Sequence, residues 1–202
     1  MGINERYEKH PQLFGEFPSA IVAELARLLP PGSRVLDVGA GQGRNALALA
    51  QKGMRVDAID HAEKGLEQML AQAAERKIVG VQSRVGRIEQ LTLSPESYDA
   101  MCFINVLHFL PFTTTLEVIQ KCKDATKPGG MHAISIFTEG TSDFVKSWGA
   151  RLWSVEELRA AYEGWTVESC ESIDGYLVQL NAQGEREPSR TIQFLAKKPE
   201  SI

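Results

Sequence analysis

Between Ser19 and Leu29 the apolar residues Ile21, Val22, Leu25, Leu28 and Leu29 recur at helical spacing, and Ser19 stands where it can cap the first turn. Pro30-Pro31-Gly32 ends that helix, and Arg34 to Val38 reads as a short buried strand. A glycine cluster follows, then a helix from about Arg44 to Lys52 that Gly53 can close in a left-handed cap. The unit then repeats. Arg55 to Ile59 is a strand, the next helix carries Leu66, Met69, Leu70 and Ala73 on one stripe, and Val81 to Val85 is a strand again. Tyr98 to Ile104 continues as a strand, Leu116 to Ala125 as a helix, and Pro128-Gly129-Gly130 as the turn into a strand from Met131 to Phe137. Such alternation predicts a parallel sheet with helices on both faces and right-handed crossovers. The last third breaks the rhythm: Ser154-Val-Glu-Glu157 is a capping box, and Trp165 to Ser172 with Arg190 to Ala196 read as a terminal hairpin. The expected fold is α/β, a doubly wound, mostly parallel, seven-stranded Rossmann-like sheet with a C-terminal antiparallel hairpin, in one domain over residues 1–202.

Composition narrows the functional classes. The chain is 43% hydrophobic and 24% charged, as ordinary globular proteins are, and its formal charge of -4 leaves no broad basic face for a phosphate backbone. Large nucleic acids are therefore not expected as partners. The first ten residues are charged rather than apolar, Arg6 replaces the Ser/Thr of a myristoylation site, and the apolar runs are too short to cross a bilayer. Cys102, Cys122 and Cys170 are widely spaced and form no metal-ligand pattern. These features predict a cytoplasmic protein with no membrane anchor and no metal, its cysteines serving as small hydrophobes.

The chemistry concentrates in Val35-Leu-Asp-Val-Gly-Ala-Gly-Gln-Gly-Arg-Asn45, where Gly39, Gly41 and Gly43 follow the first strand. Open α/β sheets bind ligands at this end. Lacking a Cβ, such glycines let the backbone turn tightly and approach a ligand closely. The spacing is Gly-x-Gly-x-Gly, not the Gly-x-Gly-x-x-Gly of a dinucleotide site, whose third glycine serves helix packing beside a pyrophosphate. Asp37 is placed either to orient the loop or to meet a ligand ammonium through water. Asp60 ends the second strand, where a carboxylate can accept both hydroxyls of a ribose, and His61 is placed to cover an adenine face.

Taken with Gly53-Met-Arg-Val-Asp57-Ala-Ile-Asp60, Tyr98-Asp99, Val106-Leu107-His108-Phe109-Leu110, Lys127-Pro128-Gly129-Gly130 and Glu157-Leu158-Arg159 through Trp165, the glycine loop resembles that of class I S-adenosylmethionine-dependent methyltransferases. Within that group the chain is similar to the tellurite-resistance (TehB-like) type over most of its length. The resemblance implies S-adenosyl-L-methionine as cofactor, with Gly39, Ala40 and Gly41 under its methionine part, Asp60 on its ribose and Gly86 to Ile88 along its adenine. Where similar proteins place an acidic residue for the adenine amino group, this chain has Arg87, which has only donors. The Ile88 amide is then the remaining partner for the ring, and Arg87 is either part of the site or a solvated surface residue. Gly175-Tyr-Leu-Val-Gln179 likewise stands where similar proteins carry charged residues.

Asn105 and His108 follow the fourth strand, near the expected methionine moiety and methyl group, and His108 is the candidate general base or else a packed histidine. Arg44 is placed to hold an anion, the cofactor carboxylate or an acceptor, or to form a salt bridge. Tyr7, Phe14 and Phe17 are candidates for a flap, and Trp148, Trp153 and Tyr162 for the acceptor side, against ordinary core packing. The expected activity is methyl transfer to a small molecule such as a thiol or a chalcogen oxyanion; a thiolate or an oxyanion needs no proton removed, whereas a hydroxyl or amine would want His108. A non-catalytic cofactor-binding sensor and a nicotinamide-dependent oxidoreductase stay open as other readings.

Overall fold

A computed structural model of the chain describes residues 2–200. Met1 and residues 201–202, at the limits of the expected domain, lie outside the described residues.

Five parallel strands, β1 (Arg34–Val38), β2 (Arg55–Asp60), β3 (Val81–Val85), β4 (Tyr98–Ile104) and β5 (Thr126–Phe137), carry the alternating pattern. The hairpin strands are β6 (Thr166–Leu180) and β7 (Arg186–Lys197). β7 lies antiparallel between β5 and β6, giving the order β3-β2-β1-β4-β5-β7-β6. The winding reverses between β1 and β4, so a crevice opens at their carboxyl ends.

Alternate strand residues face opposite sides, and each side builds its own core. Val35, Val56, Ala58, Ala100 and Cys102 pack under α2 (Ala20–Leu28), α3 (Arg44–Gln51) and α4 (Glu63–Glu75), which contribute Leu25, Leu49, Leu66 and Met69. Leu36, Val38, Met101, Phe103 and Ile134 pack against α5 (Phe112–Ala125) and α6 (Val155–Ala161) through Val118, Ile119 and Leu158. The Ser154–Glu157 capping box opens α6 as expected: the Glu157 amide donates to Ser154 Oγ at 3.1 Å and the Ser154 amide to Glu157 Oε2 at 3.0 Å.

Several boundaries move. Leu70 is exposed rather than part of the α4 stripe. Ser19 occupies the N-cap position of α2, yet its hydroxyl makes no bond; its amide donates to Asn45 Oδ1 at 2.9 Å. α5 starts four residues early, at Phe112 after Pro111, because proline's fixed φ suits a helix entry. Pro128-Gly129-Gly130 is extended, not a turn, with Gly130 O accepting from Lys198 N at 2.8 Å. Both hairpin strands run several residues further than their apolar cores, and a short helix α1 (Ile3–Lys9) precedes everything the periodicity identified.

Candidate functional site

The carboxyl ends of β1, β2 and β4 open into a cavity of about 440 Å³. Its floor is the glycine loop. The amides of Gly39 and Ala40 both donate to Ile59 O, at 2.8 and 3.1 Å, and the Gly41 amide donates to Asp60 Oδ2 at 2.8 Å. Gly41 has φ +55°, and a Cβ there would sit 2.6 Å from the Tyr7 hydroxyl. Gly43 is a packing glycine, since any Cβ would fall inside the Met69 side chain of α4.

Asp60, not Asp37, fastens this loop. Its Oδ1 also accepts the Ala62 amide at 2.7 Å, and His61 Nδ1 lies 3.4 Å away on the mostly exposed neighbouring ring. An ionised carboxylate offers about four acceptor positions, so both oxygens keep a lone pair for a ligand. Asp37 is buried behind the loop, outside the cavity wall, and neither of its oxygens closes a hydrogen bond. Burial first, and the Asp60 charge second, push its carboxyl up to about 7, against a downward pull from the Ala46 amide and Arg44.

Gly39, Ala40, Gly41, Asp60, His61, Ile88, Asn105 and His108 all line the cavity. Arg87 does not. It is largely exposed, pairs with Glu89 at 2.6 Å and stands outside the cavity lining, as the solvated-surface alternative describes. Asn105 holds the left-handed conformation at φ +55°, accepts from Ser135 Oγ through Oδ1 at 3.0 Å and donates its amide to Ser135 O at 2.9 Å. Asparagine is among the few residues that adopt this conformation readily.

His108 is fully buried in the wall, stacked on Phe137 at 4.1 Å. The Phe137 amide donates to its Nδ1 at 3.3 Å, so a neutral ring carries its proton on Nε2, an atom without a partner. Burial lowers its pKa to about 3. The ring is a neutral donor and its one lone-pair nitrogen is taken, which runs against the expected base.

Arg44 donates to Phe14 O at 2.9 Å and makes no salt bridge among the described residues. Of the expected flap, Tyr7 and Phe14 line the cavity while Phe17 is exposed and outside it. Gln42 fastens this segment: its Oε1 accepts the Leu13 amide at 2.9 Å and its Nε2 donates to His10 O at 2.7 Å. Of the expected acceptor-side aromatics only Trp148 lines the cavity; Trp153 and Tyr162 are fully buried in the second core. The far wall comes from residues 173–179 of β6 with Ser189, Thr191 and Gln193 of β7. Thr191 and Gln193 lie within the expected strand, whose pattern does not reveal which face closes a pocket.

This order of strands and this loop define the class I methyltransferase fold. The solved structure of TehB from Haemophilus influenzae matches it with a TM-score of 0.74 at 24% identity, over 88% of this chain and 61% of that one. A family model described as tellurite resistance protein TehB matches residues 7–195, and the chain belongs to that family. Hemagglutinin 1 of Eikenella corrodens is 30% identical over 167 residues, 82% of this chain and 55% of that protein. Ubiquinone biosynthesis O-methyltransferase of Paracidovorax citrulli is 36% identical over 115 residues, 56% of this chain and 48% of that protein. The chain thus spans about half the length of these curated relatives.

Proposed function

We propose that this protein binds S-adenosylmethionine and transfers its methyl group to a small molecule. One observation carries the reading: a glycine loop held by Asp60 at the carboxyl ends of β1 and β2, in a cradle that a Cβ at Gly41 would obstruct. The residues fit the cofactor. Asp60 has lone pairs free for ribose hydroxyls, Gly39 to Gly41 would allow close backbone approach to the methionine part, and His61 and Ile88, which line the same cavity, would flank the adenine. Asn105, in the lining after β4, would stand by the methionine end. The orphaned carboxylate of Asp37 supports a positively charged group beyond the loop, as a cofactor ammonium would be.

When bound, the cofactor supplies a methyl group made electrophilic by its sulfonium. The chain's own residues align the acceptor and exclude water; alignment of this kind accounts for about 7 to 11 kcal/mol of barrier reduction without an acid or base. His108, its Nδ1 lone pair held by the Phe137 amide, removes no proton, which supports acceptors that need none removed, such as a thiolate or a chalcogen oxyanion. The three free cysteines and the charge of -4 support a single domain acting in a reducing cytoplasm on a small molecule rather than a nucleic acid. No helix among the described residues is long and apolar enough to cross a membrane.

Calorimetric titration with S-adenosylmethionine, S-adenosylhomocysteine and NAD tests the reading. The two adenosyl ligands should bind and NAD should not, and Asp60→Ala should weaken binding about 10- to 100-fold, the loss expected when hydrogen bonds to a charged group disappear. Binding of NAD alone, or of none of the three, would reject it.

A further inference from the structure

We infer that Gln193 selects the methyl acceptor: the acceptor carries an O–H or N–H group beside the atom that takes the methyl, and Gln193 Oε1 receives that hydrogen bond. The inference rests on reading this cavity as a methyl-transfer site. It starts from the ladder between β5 and β7, in which Ser135 stands opposite Gln193 and Phe137 opposite Thr191. Opposed residues share a face, and here that face closes the cavity. The alternate residues Ile134, Ile136, Ile192 and Phe194 point the other way and fill the second core. Ser135, Thr191 and Gln193, with Gln179 and Ser189 beside them, thus give the wall a polar, uncharged strip.

The strip is wired in one direction. Ser135 Oγ donates its single proton to Asn105 Oδ1 at 3.0 Å, so toward Gln193 it accepts, from Nε2 at 2.9 Å. The second Nε2 proton goes to Thr191 Oγ1 at 3.0 Å. Both amide protons are then engaged, the amide orientation is fixed, and Oε1 is the open position. That oxygen is buried and has no partner among the described residues. Gln179 and Ser189 are only partly buried, so water can serve them. His108 Nε2, buried and unpartnered in the same lining, makes no bond to Gln193. A buried amide oxygen left without a bond is unfavourable, and a donor on the ligand removes that cost. An analogue lacking the donor leaves Oε1 unpaired, which is how a site built to bind a hydroxyl or N–H rejects it. Asn105 stands at the other end of the same chain of bonds, so the strip links the cofactor's methionine end to the acceptor.

For a thiol with a neighbouring hydroxyl the step balances without further reactants. The S–H proton goes to solvent, the thiolate lone pair forms the new sulfur–carbon bond, and the methyl–sulfonium bond breaks with its electron pair staying on the cofactor sulfur. The hydroxyl proton stays on its own oxygen, shared with Gln193 Oε1.

The test compares 2-mercaptophenol with 2-fluorothiophenol, which has the same ring and thiol but no second donor. The wild type should favour the first by about tenfold or more in kcat/KM. Gln193→Met keeps the length of the side chain and removes the oxygen, and it should erase that preference; Gln193→Glu keeps an oxygen there and should retain it. Each ratio is taken on one protein, so a Gln193 that merely ties β5 to β7 would slow both thiols alike and leave the ratio unmoved. Calorimetry on the wild type with S-adenosylhomocysteine bound reads the same preference without a variant: 2-(methylthio)phenol should bind more tightly than 2-fluorothioanisole. Equal handling of the two thiols by the wild type, a preference that survives Gln193→Met, or turnover of neither thiol by a protein that binds S-adenosylmethionine overturns the inference. If S-adenosylmethionine does not bind, the methyl-transfer reading falls and this inference with it.

Discussion

Asp37 and Asp60 sit at the ends of neighbouring strands and have opposite electrostatic lives. Asp60 is satisfied by two backbone amides and opens onto the cavity, whereas Asp37 is sealed in with no bond to either oxygen. Its carboxyl, normally near 3.8, is raised to about 7, so the unfolded chain gives up this proton first as pH rises. The stability attached to it is therefore whole below about pH 4 and is lost progressively toward and through pH 7. Asp60, Arg44 and Cys102 are the ionisable neighbours involved. Asp37→Asn should match the wild type in denaturant unfolding at pH 4 and exceed it by at least about 1 kcal/mol at pH 8. A difference that does not grow with pH would refute this account. In the proposed complex, a cofactor ammonium near Asp37 favours its ionised form, so binding near pH 7 should release a proton, readable as a dependence of the binding heat on buffer ionisation enthalpy.

At the scale of elements, helices α5 and α6 are tied to the sheet through a buried histidine of β5. Thr126 Oγ1 donates to Cys122 O at 2.7 Å and so accepts from His132 Nε2, also at 2.7 Å, while the Tyr162 hydroxyl donates to His132 Nδ1 at 2.7 Å. Tyr162→Phe leaves that nitrogen unpaired in the core and should destabilise by about 1 to 3 kcal/mol, measured by urea unfolding at pH 7. Burial, helped by Lys123 and Lys198, holds His132 at about 3. Its stability is present above the unfolded value near 6.5 and is lost as pH falls toward 3, the direction opposite to Asp37. His132→Gln should therefore lose less stability than the wild type between pH 7 and pH 4.5.

The element α1 works differently. It lies over the glycine loop and α4, with Gln68 Nε2 donating to Tyr7 O at 2.9 Å and the Tyr7 hydroxyl against Gly41. Removing residues 2–10 leaves both cores intact but uncovers the loop. The truncated chain should keep its far-ultraviolet circular dichroism and bind S-adenosylmethionine at least tenfold more weakly; unchanged affinity would show that α1 is no part of the site.

For the whole molecule, the cavity has walls from both ends of the chain, α1 on one side and β6–β7 on the other, around a floor from the central strands. A ligand that fills it bridges parts far apart in sequence and binds only the folded state. At 100 times its dissociation constant, S-adenosylmethionine should add about 2.7 kcal/mol to stability, seen as a rise in Tm that NAD does not produce.

The strands β1 to β4, the helices α2 to α4, the glycine loop and Asp60 were legible from the chain alone, because each is written in local periodicity or in a short motif whose neighbours in sequence are its neighbours in space. The helix face buried by Leu66 and Met69 is of this kind, although Leu70 beside it turned out exposed. Other assignments depended on distant contacts. Arg87 pairs with Glu89 on the surface, Trp153 and Tyr162 went to the second core, and His108 lost its basic nitrogen to the backbone of Phe137, 29 residues away. The sequence by itself determined the order of elements and the floor of the site, since backbone preference and apolar spacing act over a few residues. Only the tertiary structure decided the protonation, exposure and company of each side chain, because burial and hydrogen bonding are settled by which distant segments close over it.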